Sequence, residues 1–142
     1  MPKFSQKSRE RLQTCHPELQ RLFNEVVRDA DCSIMCGHRG KDEQEKAVAA
    51  GFSKVQYPAS KHNSLPSMAV DVWPYPFPGW PDEPGIDAKE NAKRWEIWGF
   101  FAGQVIATAR QMGISIRWGG DWNGNLDLRD EKFRDLPHFE LQ

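Results

Sequence analysis

The chain has 142 residues, 39% of them hydrophobic, and its 19 basic and 20 acidic side chains leave a formal net charge of -1. That length suits one domain, residues 1–142, with a core of its own. The near-neutral balance, with no basic run to follow a phosphate backbone, argues against a nucleic-acid partner. No stretch approaches the ~18 apolar residues of a membrane span, so membrane insertion is not expected.

The polar start, MPKFSQKSRERLQ, lacks the apolar segment of a secretory signal and points to a protein made and held in the cytosol. A reducing compartment keeps Cys15, Cys32 and Cys36 as thiols. Residues 17–30 read as an amphipathic helix, with Pro17 in the first turn and Leu19, Leu22, Phe23, Val26 and Val27 on one face. Ser33–Cys36 reads as a short strand ended by Gly37. A helix from Asp42 to Ala50 follows, capped by Asp42 and stopped by Gly51. Ala69–Trp73 (AVDVW) alternates as a strand does.

Residues 74–86 carry five prolines and read as loop. The longest helix is expected between Asp87 and Gly113, with Trp95, Trp98, Phe101, Ala102, Val105, Ile106, Ala109 and Met112 recurring at core spacing. Ile114–Trp118 and His138–Leu141 are strand candidates on either side of a Gly/Asn/Asp-rich loop at 119–130. This mixed order of elements implies an α+β domain, a small and mainly antiparallel sheet covered by helices.

Two of the four histidines stand in suggestive company. His62 leads into a turn-rich loop, and Asp71 lies inside a strand between two valines. An ionised Asp there needs a partner, which can be a metal or an arginine such as Arg39 or Arg117. His138 opens the last strand three residues after Asp135 and two before Glu140. Two imidazoles and one carboxylate form a sound zinc set that leaves a fourth position open. A Cys32/Cys36/His38 site is also conceivable, although its spacing matches no zinc ribbon. His16 suits a cap before Pro17, and His38 suits either the cleft beside Arg39 or the surface. Trp73, Trp80, Trp118 and Trp122 either pack the loops or stack on a ligand.

The S-x-H of Ser60-Lys61-His62, the A-V-D of residues 69–71 and the D-x-x-H-F-E of residues 135–140 resemble the D-alanyl-D-alanine carboxypeptidase/L-alanyl-D-glutamate peptidase family of zinc enzymes. The likeness is greatest to its compact phage endolysins. It extends through His16-Pro17-Glu18-Leu19 and Gly37-His38-Arg39-Gly40 with Gln44, so it covers nearly the whole chain. One departure is the nine-residue step from His62 to Asp71, longer than the family's commonest H-x-x-G-x-A-x-D.

The resemblance implies a hedgehog/DD-peptidase-like fold forming a single zinc peptidase catalytic domain. Zn2+ is then held by His62, Asp71 and His138. Asp135 is implied as the catalytic base, with Glu140 as second choice, and Arg39 as the group that stabilises the oxyanion. Ser60 and Gln44 are candidate contacts for the substrate, the stem peptide of bacterial peptidoglycan. The implied activity is hydrolysis of its L-Ala–D-Glu bond for host cell lysis by a monomer that leaves the host cytoplasm through a holin. A D,D- or L,D-carboxypeptidase and a non-catalytic zinc-stabilised binding module are the alternatives.

Overall fold

Val70 and Val72 are fully buried while Asp71 and Trp73, alternating with them, stay partly open on the opposite face. These residues belong to β2 (Ala69–Pro74) in a computed structural model that describes residues 1–142. The other strands are β1 (Cys32–Cys36), β3 (Ile116–Trp118) and β4 (His138–Leu141). Their spatial order is β1-β2-β4-β3, and each neighbouring pair is antiparallel. The register sets Asp71 opposite His138 and Ala69 opposite Glu140. A shift between Ile34 and Cys36 sets Cys36 opposite Asp71 from the other side. The strand pairing thus collects the site at one end of β2.

Two helices, α2 (Pro17–Asp29) and α4 (Ala88–Gln111), cover the apolar side. The His16 ring accepts a hydrogen bond from the Glu18 N–H at 3.1 Å, and Pro17 occupies the first turn, where it removes no needed donor. All five apolar residues expected to face the core from α2 are buried. In α4 the Asp87 carboxylate accepts from the Glu90 N–H at 2.7 Å, and Trp98, Phe101, Ala102, Val105 and Ala109 are buried. Trp95, Ile106 and Met112 pack at the edge of the same cluster.

Two shorter helices differ from the sequence reading. The segment Gln6–Leu12 forms α1, which its polar composition did not announce. It rests on the Ser5 cap and on docking to β1, where the Ile34 N–H donates to Ser8 Oγ at 3.0 Å. Helix α3 (Lys41–Ala49) begins one residue before Asp42, with Gly40 as its cap residue, because Glu43 reaches back to the Gly40 N–H at 3.4 Å. Ile114 is buried in the turn after α4, so β3 starts only at Ile116.

Phe139 is fully buried, its ring 5.6 Å from that of Phe23 and 6.3 Å from that of Phe101. Phe139→Ala is expected to cost ~3–5 kcal/mol of stability in urea unfolding, since it empties the meeting point of both helices and the sheet. A loss under about 1 kcal/mol would contradict that placement.

Candidate functional site

The site begins with backbone placement. Ser60 caps a single 3₁₀ turn, Lys61–Asn63, its hydroxyl accepting from the His62 N–H at 3.2 Å and its own N–H donating to Asn63 Oδ1 at 3.0 Å. The Arg39 N–H donates to the His62 carbonyl at 2.8 Å, so the loop carrying Arg39 and the His62 turn hold each other. The long connection from His62 to Asp71 is pinned at its middle. Ser67 accepts from the His16 N–H and donates to the Thr14 carbonyl, both at 2.8 Å. The extra residues therefore dock on the α1–α2 junction and leave both side chains aimed inward.

His62 is 2% exposed. Its Nδ1 lies 2.7 Å from the Gly37 carbonyl, which makes Nδ1 the donor and turns Nε2 toward Asp71 Oδ1 at 3.3 Å. Gly37 can present that carbonyl because its backbone lies against Thr14, Arg11 and Cys15 with no room for a Cβ. The same logic holds at His138. Nε2 lies 2.9 Å from Glu140 Oε1, and Nδ1 faces Asp71 Oδ1 at 3.5 Å and Asp135 Oδ2 at 3.8 Å. Glu140 is fixed in turn by Lys61 at 3.1 Å.

Each imidazole thus spends one nitrogen on a protein acceptor and points the other at Asp71 Oδ1, the pattern that orients histidine ligands. His62 Nε2 and Asp71 Oδ1 are buried without a hydrogen-bond partner. Separations of 3.3 and 3.5 Å to a shared oxygen match the ~3.3–3.6 Å edges of a tetrahedron with ~2.0–2.2 Å bonds. Potential ligand atoms gather as two overlapping trios that share Asp71: Cys36, His62 and Asp71 on one side, Asp71, Asp135 and His138 on the other. Cys36 Sγ lies 4.0 Å from Nδ1 of His62, the edge already committed to Gly37, so the donors left free are His62 Nε2, Asp71 Oδ1 and His138 Nδ1. These residues fit a metal ion.

Electrostatics agree with that fit. Burial opposes charge on His62, yet the Asp71 carboxylate outweighs it and holds the metal-free ring up to about 10. Burial likewise opposes charge on His138, and Asp71 with Glu140 again raises it. Asp71 itself sits well below the usual carboxylate range despite its burial, chiefly through His62. Protons fill the place that a cation would take. Burial and the Asp71 charge push Asp135 up to about 6, whereas Glu140, although burial pulls it upward, is drawn down to about 2 by His138 and Lys61. Asp135 thus keeps its proton to a higher pH than Glu140, which braces His138 at 2.9 Å.

Arg39 is the partner that the sequence left open for Asp71: its Nη2 donates to Oδ2 at 3.3 Å. Gln44 is placed differently from a substrate contact. It is fully buried, and its Oε1 accepts from Arg39 Nη1 at 2.9 Å and Asn63 Nδ2 at 3.3 Å. Its Nε2 donates to Ser53 Oγ and the Val55 carbonyl at 2.9 and 2.6 Å. Gln44 is a positioning residue that ties Arg39 to the 51–60 loop. Cys32 points into the core, and the His38 ring pairs with the Ser64 carbonyl, so no Cys32/Cys36/His38 site forms.

Gly119 also escaped the sequence reading. It exchanges backbone hydrogen bonds with Asp135 and His138, and a Cβ there would strike the Asp135 carbonyl. A glycine just after a strand, in a chain with a carboxylate near its last histidine, was the available signal. The cluster opens on two basins, of about 700 and about 330 Å³, that share Arg39, Phe52, Phe133 and Asp135.

A family model for the phage L-alanyl-D-glutamate peptidase matches residues 1–142. The chain belongs to that family. A similar curated relative is the L-alanyl-D-glutamate peptidase of Escherichia phage T5, 29% identical over 144 residues, covering 98% of this chain and 97% of that protein. A similar solved structure is the Serratia marcescens L-Ala D-Glu endopeptidase ChiX, with a TM-score of 0.67 and 29% identity, covering 99% of this chain and 90% of that one. The peptidase thus has the α+β fold expected of it, and its polar cluster lies where the S-x-H, A-V-D and D-x-x-H-F-E segments converge.

Because the fold raises the pKa of Asp135, the stability tied to its proton is present below about pH 4 and lost as pH rises through about 6. Asp135→Asn is therefore expected to stabilise the metal-free peptidase at pH 8, by ~1–2 kcal/mol, and to have little effect at pH 4. Thermal melts in chelator at both pH values test this, and equal effects at the two would refute it.

Proposed function

We propose that the protein is a zinc-dependent endopeptidase that hydrolyses the L-Ala–D-Glu bond of peptidoglycan stem peptides. The carrying observation is the aim of His62 Nε2, Asp71 Oδ1 and His138 Nδ1 at one shared point beside Asp135, in a chain of the L-alanyl-D-glutamate peptidase family. His62, Asp71 and His138 are the residues that would hold the ion, and zinc bound there would supply Lewis acidity.

Asp135 takes the proton from the attacking water and returns it to the leaving D-Glu amine, a role suited to a carboxylate raised toward neutrality. Of the five N–H donors of Arg39, Gln44 and Asp71 take one each. Arg39 lines both basins, and its remaining donors are available to stabilise a developing oxyanion. Ser60 serves its own turn and so fixes the direction of His62. No helix is long and apolar enough to cross a membrane. The role that fits is lysis of the host wall, by a protein made in the host cytoplasm and passed outward through a holin.

The product identifies the bond. Muropeptides digested by the protein should gain an N-terminal D-Glu, and mass spectrometry that found only free D-Ala would favour a carboxypeptidase. Zinc binding at pH 7 should also release at least one proton, because metal-free His62 holds its proton up to about 10. Calorimetry in buffers of different ionisation enthalpy measures it. A third test separates ligand from base. Asp135→Ala should keep its zinc and lose ~10²–10⁴-fold in turnover, whereas His138→Ala should lose the metal itself. Loss of zinc from both variants alike would place Asp135 among the ligands.

A further inference from the structure

We propose that the larger basin is a saccharide subsite, which seats the muramyl sugar on the indoles of Trp73, Trp80 and Trp95. The inference rests on the L-alanyl-D-glutamate peptidase reading above and extends it to what lies beyond L-Ala. The substrate is strongly asymmetric about its scissile bond. On one side runs a peptide rich in carboxylates; on the other stands a single L-Ala joined by an amide to the lactyl group of a sugar. One extended residue spans only ~3.3–3.6 Å, so the sugar falls within the neighbouring basin.

The two basins differ in size and in lining. The smaller one carries Ser53, Lys54 and Ser60; Lys61 is held by Glu140 there, whereas Lys54 pairs with no carboxylate, lying 4.5 Å over the Phe133 ring, and is the cation available to the D-Glu side. The larger one mixes Lys132 and Arg134 with Asp71 and Asp82, encloses about 700 Å³ and is far too roomy for the methyl group of L-Ala. Its three indoles are only partly buried, although the fully buried Trp98 behind them already closes the core.

Each of these indoles is fixed by a neighbour on its ring. Trp80 stacks on Trp98 with centroids 5.1 Å apart and Trp73 on Phe77 at 4.2 Å, while Trp95 donates from Nε1 to Asp82 Oδ1 at 3.2 Å and carries the Arg134 guanidinium 5.2 Å from its ring centroid. A pre-set apolar surface loses little side-chain freedom on binding. A pyranose ring is amphipathic: its C–H face covers indole, and its hydroxyl and acetamido groups reach the polar rim at Asp82 and Arg134.

The test uses the full chain with zinc and two substrates that share the L-Ala–D-Glu bond. One is a muramyl peptide; the other is the same peptide with an acetyl group in place of the sugar. The wild type should favour the muramyl peptide by about tenfold or more in kcat/KM, mainly through KM, a difference worth ~1.4 kcal/mol. Trp95→Ala should bring that ratio toward one, and Arg134→Ala, at the exposed rim, should lower it less. Misfolding reduces both rates and leaves their ratio alone, so a damaged variant cannot imitate the result. Equal kcat/KM on the two substrates, or an unchanged ratio in Trp95→Ala, overturns the saccharide subsite. Cleavage of neither substrate by the wild type overturns the peptidase reading itself.

Discussion

A buried carboxylate organises this molecule. Asp71 stands on a strand whose adjacent side chains close the core, where an uncompensated negative charge is costly. Its two oxygens divide the labour: Oδ2 is held by Arg39, and Oδ1 is left to two imidazoles. Arg39 is held in turn by Gln44, and each imidazole by an acceptor on its far nitrogen. Charge on Asp71 therefore dictates where four other side chains point. A divalent ion would answer that charge with the same three side chains that could hold it.

Much of the precision comes from main chain rather than side chains. Gly37 offers its carbonyl to His62 from a position too crowded for any side chain, and Gly119 lets the backbone before His138 approach closely. Enzymes that must keep ligands within a few tenths of an ångström benefit from such supports, because a backbone carbonyl has no rotamers to lose.

The strands and long helices were legible because their signals are periodic. The alternation of AVDVW, the strand at HFEL, the apolar face of residues 17–29 and the caps at His16 and Asp87 all reappear in the fold. Helix α1 was not legible, because QKSRERL has no apolar face of its own and depends on Ser5 and β1. The residue types around the candidate site could be picked out from motif order, but their partnerships could not. Whether Asp71 meets Arg39 or Arg117 is decided by the order of the strands, which sets Arg117 on β3, beyond β4 from Asp71, and brings the loop after β1 to it; one sequence does not encode that order locally. Gln44, which the resemblance offered as a substrate contact, is instead fully buried, and its full set of hydrogen bonds allows that burial.

The spatial order of the strands carries a consequence for how the protein comes into being. β4 follows β3 in sequence yet lies between β2 and β3, so β3 has no neighbour until residues 138–141 arrive. Its pairing with β2 spans roughly 70 residues, a long-range contact of the kind that slows folding. Until residues 138–141 are in place, a chain that already contains His62, Asp71 and Arg39 lacks one of the two inner strands of its sheet and the second imidazole of the cluster around Asp71.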